Sequence, residues 1–178
     1  MTRRVHVLGA SGSGTSTLAR NLATALGTQS FDTDDFYWRP TDPPFAEKRP
    51  VPQRLALMRA VFLPRSDWVL AGSFAGWGDA IVPRLTHVIF LTVPPAQRLV
   101  RLRRRERLRT GGAEGPRPAF LNWAMGYDDS GFPGRNRTGH EAWLAELTCP
   151  VIRLDGGAPP EALASSALAA LDDRAQAS

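Results

Sequence analysis

Gly9-Ala10-Ser11-Gly12-Ser13-Gly14-Thr15-Ser16-Thr17 is the stretch that decides the fold of this 178-residue chain. It follows an apolar run (Val5, Val7, Leu8) and precedes Leu18, Leu22 and Leu26 at four-residue spacing, so it reads as a turn from a strand into a helix. Gly9, Gly14 and Ser16 stand where the phosphate-binding pattern G-x-x-x-x-G-K-[ST] has its two glycines and its hydroxyl. Position 15 departs from that pattern, with threonine in place of lysine. The bland alternative is a Gly/Ser-rich linker turn, and the agreement of strand, spacing, hydroxyls and helix argues against it.

Glycines suit such a turn because successive backbone N–H groups must curl round an anion, often at positive φ, where a Cβ would clash. The helix that follows directs its positive end at the same anion. Neither effect needs the lysine. A lysine there brings a point charge to the outer phosphates during transfer. Losing one such donor from a water-excluded site costs about 2.7–4 kcal/mol of transition-state stabilisation. Phosphate binding is therefore expected at this turn, and rapid phosphoryl transfer would need a substitute cation.

Working outward, the chain is long enough for one domain over residues 1–178, and its 43% hydrophobic content excludes a disordered protein. No apolar run approaches the ~20 residues that span a bilayer. Arg3 and Arg4 precede only a short apolar run that ends in glycines, unlike a signal peptide, so a cytoplasmic protein with no membrane partner is expected. The single cysteine, Cys149, excludes an internal disulfide and a cysteine metal cluster; a buried thiol is expected. The net charge of +5 is local, because Arg98–Arg109 holds seven arginines against Glu106 alone. The remainder is close to neutral. Lys48 is the only lysine.

Further along, Ser30–Asp32 reads as a second strand running into the acidic Asp32-Thr33-Asp34-Asp35, and a proline-rich loop follows over 38–52. Leu55, Met58 and Phe62 mark a helix. Trp68–Ala71, His87–Val93 and Val151–Leu154 read as three more strands, and Glu161–Leu171 as a last amphipathic helix. Strands alternating with helices predict an α/β fold with a parallel sheet covered on both faces. Ligands of such sheets bind beyond the carboxyl ends of the strands. That rule puts Gly9–Thr17, Asp32–Asp35, Gly72–Asp79 and Asp155–Ala158 along one rim.

These segments resemble the small P-loop kinases related to nucleoside-monophosphate, shikimate and gluconate kinases, and bacterial DNA-topology-modulation-like proteins. The likeness is carried by Gly9–Thr17, Phe31-Asp32-Thr33-Asp34, Trp68–Ser73, Val93-Pro94-Pro95 with the arginines after it, and Val151–Gly157. It implies a three-layer α/β/α fold on a five-stranded parallel sheet of order 2-3-1-4-5. It also implies an Arg-rich lid inserted at about 101–139, and ATP with Mg²⁺. On this resemblance Gly9, Ala10, Ser11, Gly12, Ser13, Gly14, Thr15, Ser16 and Thr17 bind the nucleotide phosphates, with Thr17 also a candidate cap of the first helix. Ser16 holds Mg²⁺, with Asp32 beside it. Asp32 or Asp34 serves as base toward the acceptor hydroxyl, the alternative being that they cap a helical turn. Arg101 and Arg105, four apart on one helical face, close over adenine and phosphates. Gly156 belongs to the adenine-side turn.

The lysine's stand-in is sought among the lid arginines, Arg101 and Arg105 first and then Arg103, Arg107 and Arg109. Arg135 or Arg137 is a candidate to return from beyond the lid to the phosphates, with surface loop charge the equal alternative. Trp77, between two glycines, either stacks on an acceptor ring or belongs to the core. His6, His87 and His140 are too scattered for a metal site. The expected partners are a nucleotide and a small-molecule acceptor (nucleoside, nucleotide or polyol). Nucleic acid on the arginine helix is the weaker alternative, and nothing sets an oligomeric state. A nucleotide sensor without useful catalysis is the reading that Thr15 keeps open.

Overall fold

The computed structural model describes residues 2–109 and 118–176. Its sheet is built round β1 (Arg4–Gly9), in which Val5, Val7 and Leu8 are fully buried. After it come α1 (Thr15–Ala25), β2 (Ser30–Asp32), α2 (Thr33–Tyr37), α3 (Val51–Val61), β3 (Trp68–Ala71), β4 (His87–Thr92) and α4 (Pro95–Arg109). The chain then forms α5 (Pro118–Met125), α6 (Arg137–Ala145), β5 (Val151–Asp155) and α7 (Pro160–Gln176). The five strands are all parallel, in the order β2-β3-β1-β4-β5.

Strand periodicity sorts the core into two layers, since successive side chains face opposite sides of a sheet. Val69 and Ala71 of β3, with Ile89 and Leu91 of β4, join Leu18 and Leu22 of α1 and Leu163 and Leu171 of α7. Trp68 and Leu70, with Val88 and Phe90, face the other way, onto Met58 and Phe62 beside α3 and Leu144 of α6. Burying a side chain of this size contributes about 1.5–3 kcal/mol, so each layer holds its helices against one face of the sheet. A third, smaller cluster of Leu102, Leu121 and Ala124 joins α4 to α5.

Two local expectations need correction. Thr17 does not cap α1: Gly14, at φ 99°, is the residue that ends the loop and opens the helix, and no side chain caps it. Cys149 is only partly buried, packed against the second core layer. A 3₁₀ turn, Asp79–Arg84, fills the route to β4; Pro83 inside it hid any periodic pattern. Of the lid expected at about 101–139, residues 110–117 lie outside the described residues. Among the described residues, no helix is long and apolar enough to cross a membrane.

Candidate active site

The ends of β1, β2 and β3 open into a cleft of about 960 Å³ lined by Gly9–Gly12, Thr15, Ser16, Asp32, Asp34, Ser73 and side chains from α4, α5 and α6. Its floor is the glycine loop. Gly12 and Gly14 stand at φ 85° and 99°, the left-handed region that a Cβ disfavours. Ser13 N–H donates to Ala10 O at 3.0 Å and closes the turn. Thr15 begins α1 at the cleft wall, whereas Thr17 is exposed and does not line the cleft.

Ser16 Oγ donates to Asp32 Oδ2 at 2.6 Å, while Asp32 Oδ1 accepts from Asp34 N–H at 3.1 Å. One carboxylate thus caps α2 and holds the loop hydroxyl at the same time, so the capping reading of Asp32 holds. Mg²⁺ is usually bound by one or two carboxylates plus substrate phosphates and water. Ser16 and Asp32 form a donor set of that kind. Among the described residues no group of three or more His, Cys, Asp or Glu side chains could hold a metal by itself.

Asp34 opens into the cleft, and the protein around it removes enough water to raise its pKa. The neighbouring Asp32 carboxylate adds to the rise, and Arg135 and Arg105 oppose it. A carboxylate raised in this way and facing a cleft is suited to accept a proton.

The two arginines of the R-x-x-x-R pair straddle the loop instead of acting side by side. Arg101 Nη1 donates to Gly156 O at 2.8 Å and Gly12 O at 3.5 Å, tying α4 to the loop and to the turn after β5. Gly156 packs so closely there that a Cβ would stand 2.7 Å from Ser13 O. Arg105 lines the cleft, 3.8 Å from the buried Glu106 carboxylate, and Arg109 reaches the same carboxylate at 3.7 Å. Burial and the Arg109 charge lower the Arg105 pKa, against the opposing pull of Glu106, Asp34 and Asp32. Arg98 belongs to the core. It is fully buried, donates to Val93 O and Ala124 O, and pairs with Asp128.

Arg135, which lines the cleft, also reaches the glycine loop, through a loop side chain where Arg101 meets a loop carbonyl. Its Nη2 donates to Ser11 Oγ at 2.9 Å, and its Nε is buried without a hydrogen-bond partner. Burial lowers its pKa, with Asp34 the largest opposing charge. Arg137 instead pairs with Asp128 at 2.8 Å, outside the cleft.

One constellation has no local signature in the sequence. Ser73, at the end of β3, meets His140 Nε2 at 3.1 Å, and His140 Nδ1 meets the Tyr127 hydroxyl at 2.9 Å. Ser73 and His140 line the cleft. Burial, with the Arg135 charge second, lowers the His140 pKa to about 3, so the ring is neutral. Burial also pushes Tyr127 up to about 12. These three residues are far apart in sequence, and only the glycine-serine end of β3 could have hinted at them. Trp77 packs against the second core layer while lining the cleft, and its Nε1 donates to Ser73 O at 3.3 Å.

Solved structures with the same fold include a gluconokinase from Sinorhizobium meliloti 1021, at TM-score 0.59 and 19% identity over 98% of this chain and 94% of that one. A sugar kinase from Janibacter sp. HTCC2649 aligns at TM-score 0.57 and 21% identity, over 97% and 95% of the two chains. A shikimate kinase from Aquifex aeolicus aligns at TM-score 0.57 and 14% identity, over 97% and 98%. The fold is therefore that of the small P-loop kinases. No protein-family model matches the chain. The uncharacterized protein YqaC of Bacillus subtilis (strain 168) is 40% identical over 162 residues, covering 87% of this chain and 89% of that protein. With that identity along nearly the whole length of both, the chain belongs to the same family as YqaC.

Proposed function

We propose that the protein is an ATP-dependent phosphotransferase that moves the γ-phosphoryl group to a small-molecule acceptor. The observation that carries this reading is the Ser16–Asp32 hydrogen bond at 2.6 Å on the floor of the cleft, with Asp34 opening beside it. A loop serving only as a turn has no need to couple its helix-start hydroxyl to a strand-end carboxylate.

In this reading Gly9–Ser16 cradle the phosphates through backbone N–H groups and the start of α1. Ser16 and Asp32 would hold Mg²⁺, which screens the charge of the phosphate oxygens. Asp34 takes the acceptor proton as the acceptor oxygen bonds to the γ-phosphorus and the bond to the bridging oxygen breaks, leaving ADP. Arg135 and Arg105 stabilise the charge that spreads over the phosphoryl oxygens. Arg101 holds Gly12 against Gly156 and so shapes the adenine side. The lid, about 101–139, the ATP and Mg²⁺ requirement and the cytoplasmic setting belong to the same proposal.

The threonine at position 15 favours one second reading, a nucleotide sensor that binds without turning over. Titration of MgATP by thermal shift, followed by ADP release with nucleosides, nucleotides, sugars and shikimate, separates the two. Turnover on one acceptor class supports the phosphotransferase, and saturable binding with no turnover on any acceptor supports the sensor. A loop that stays empty at millimolar MgATP ends both.

A further inference from the structure

We propose that the acceptor carries a flat heteroaromatic ring, of the nucleoside or nucleotide kind, and is not a polyol. Its identity as an acceptor rests on the phosphotransferase reading, but its binding does not. Beyond the glycine loop, seven aromatic side chains line the cleft: Tyr37, Trp38, Phe45, Trp77, Phe120, Trp123 and Trp143. They come from four separate parts of the chain: the end of α2 with its following loop, the segment after β3, α5 and α6. Trp123 is 40% exposed, and the other six are partly exposed. Aromatic surface left wet and gathered on one concavity marks a binding site more often than a defect of packing.

The rings are also held in place. The Arg54 guanidinium lies 3.8 Å from the Tyr37 ring centre and is itself pinned by donating to Arg49 O at 2.5 Å. Phe45 is kept at φ 64°, a conformation that costs energy for a bulky residue. Phe120 and Trp123 lie near-parallel at 6.3 Å.

Cations alternate with these rings. Arg109 stands 4.9 Å from the Phe45 ring centre, Arg105 5.5 Å from Phe120, Arg135 5.2 Å from Trp123 and Lys48 5.9 Å from Tyr37. Aromatic faces interleaved with guanidinium groups suit a flat ring that bears an anion or a hydroxyl. A polyol needs donors and acceptors converging on several hydroxyls; here the polar groups, Asp32, Asp34, Ser73, Asn136, His140 and the cations, are set among seven aromatic side chains that a polyol would leave uncovered. The slot is distinct from the adenine side proposed for the donor, because Arg101 and Gly156 do not line it.

The test uses the full chain without ATP and follows quenching of tryptophan fluorescence by nucleosides, their monophosphates, ribose, gluconate and shikimate. Saturable quenching by nucleosides or monophosphates, with none by the polyols, is the expected result. The two ring-bearing arms report whether the accepting oxygen is a hydroxyl or a phosphate. Trp38→Ala is expected to weaken ring binding about 10-fold, the scale of one lost stacking partner, and Trp38→Phe to restore most of it. A misfolded alanine variant leaves the phenylalanine variant and the ligand panel as the test.

The glycine loop is read separately, by thermal shift with Mg²⁺ and inorganic tripolyphosphate. If tripolyphosphate binds while nucleosides and monophosphates fail to quench at millimolar concentration, or a polyol binds more tightly, the aromatic acceptor is overturned. If the rings quench and tripolyphosphate does not bind, the slot stands and the phosphotransferase reading falls. Ring binding that Trp38→Ala leaves unchanged also overturns the proposal.

Discussion

Arg135→Ala removes the guanidinium that reaches Ser11 Oγ at 2.9 Å, in a loop where Thr15 brings no charge. A unit charge about 4 Å from a phosphate oxygen is worth roughly 4 kcal/mol at an effective dielectric of about 20. Removal of one transition-state donor costs about 2.7–4 kcal/mol in measured cases. Both routes give a fall in turnover of roughly 100- to 1,000-fold. ATP affinity should change far less, since the backbone cradle and the α1 terminus remain. The assay is steady-state ADP release from MgATP, with affinity measured by calorimetry on the same samples. Adding Thr15→Lys to the Arg135→Ala protein should recover at least about 10-fold of the loss, because an ammonium returns where the guanidinium was. Thr15→Lys alone should lower activity, since it crowds two like charges into one loop. Two results would refute the reasoning: an Arg135→Ala protein within about threefold of wild type, or a Thr15→Lys protein about tenfold faster than wild type.

Asp32→Asn should keep a hydrogen bond to Ser16 but lose the carboxylate charge that would hold Mg²⁺, with turnover falling at least about 100-fold; a Mg²⁺ titration of ADP release that matches wild type would count against the assignment. Arg98→Met should act on folding and not on nucleotide binding, because it leaves Asp128 and two buried carbonyls without their shared donor. About 3 kcal/mol is expected from breaking such a pair, or about 10 °C in Tm for a chain of this size; unchanged melting by calorimetry would refute it. Acid should weaken the fold through His6, whose pKa burial lowers to about 4, and His140, lowered to about 3 beside Arg135, Tyr127 and His6. Above the unfolded value of about 6.5 both rings are neutral in either state and the contribution is complete. As the pH falls below it only the unfolded chain takes up protons, so His6 alone removes roughly 3 kcal/mol by pH 4. Urea midpoints at pH 7 and pH 5 that coincide would contradict this.

The turn at Gly9–Ser16 and the order of strands and helices were legible in the chain, because both follow from local chemistry. Glycines at positive φ, hydroxyls at fixed spacing and apolar runs set by the period of a strand or helix need no tertiary contact to be recognised. Asp32 was legible for the same reason, lying at a strand end beside its own helical turn. The aromatic wall of the cleft was not, and Arg135 was legible only as a candidate beside Arg137, without its contact. Arg135 is 124 residues from Ser11 in sequence and meets it only because α5 and the loop before α6 fold back over the ends of the strands. Arg98 and Arg101, three apart and chemically identical, part for a buried ion pair and a backbone clamp, a difference set by what each guanidinium meets: Asp128 and Ala124 O for one, Gly12 O and Gly156 O for the other. Ser73, His140 and Tyr127 likewise meet across 67 and 13 residues of chain. Residue type and spacing determine what a short segment can bind. Which distant side chains share a dielectric, a hydrogen bond or a cleft is decided by packing, since those energies depend on separations of a few ångströms that the linear order does not contain.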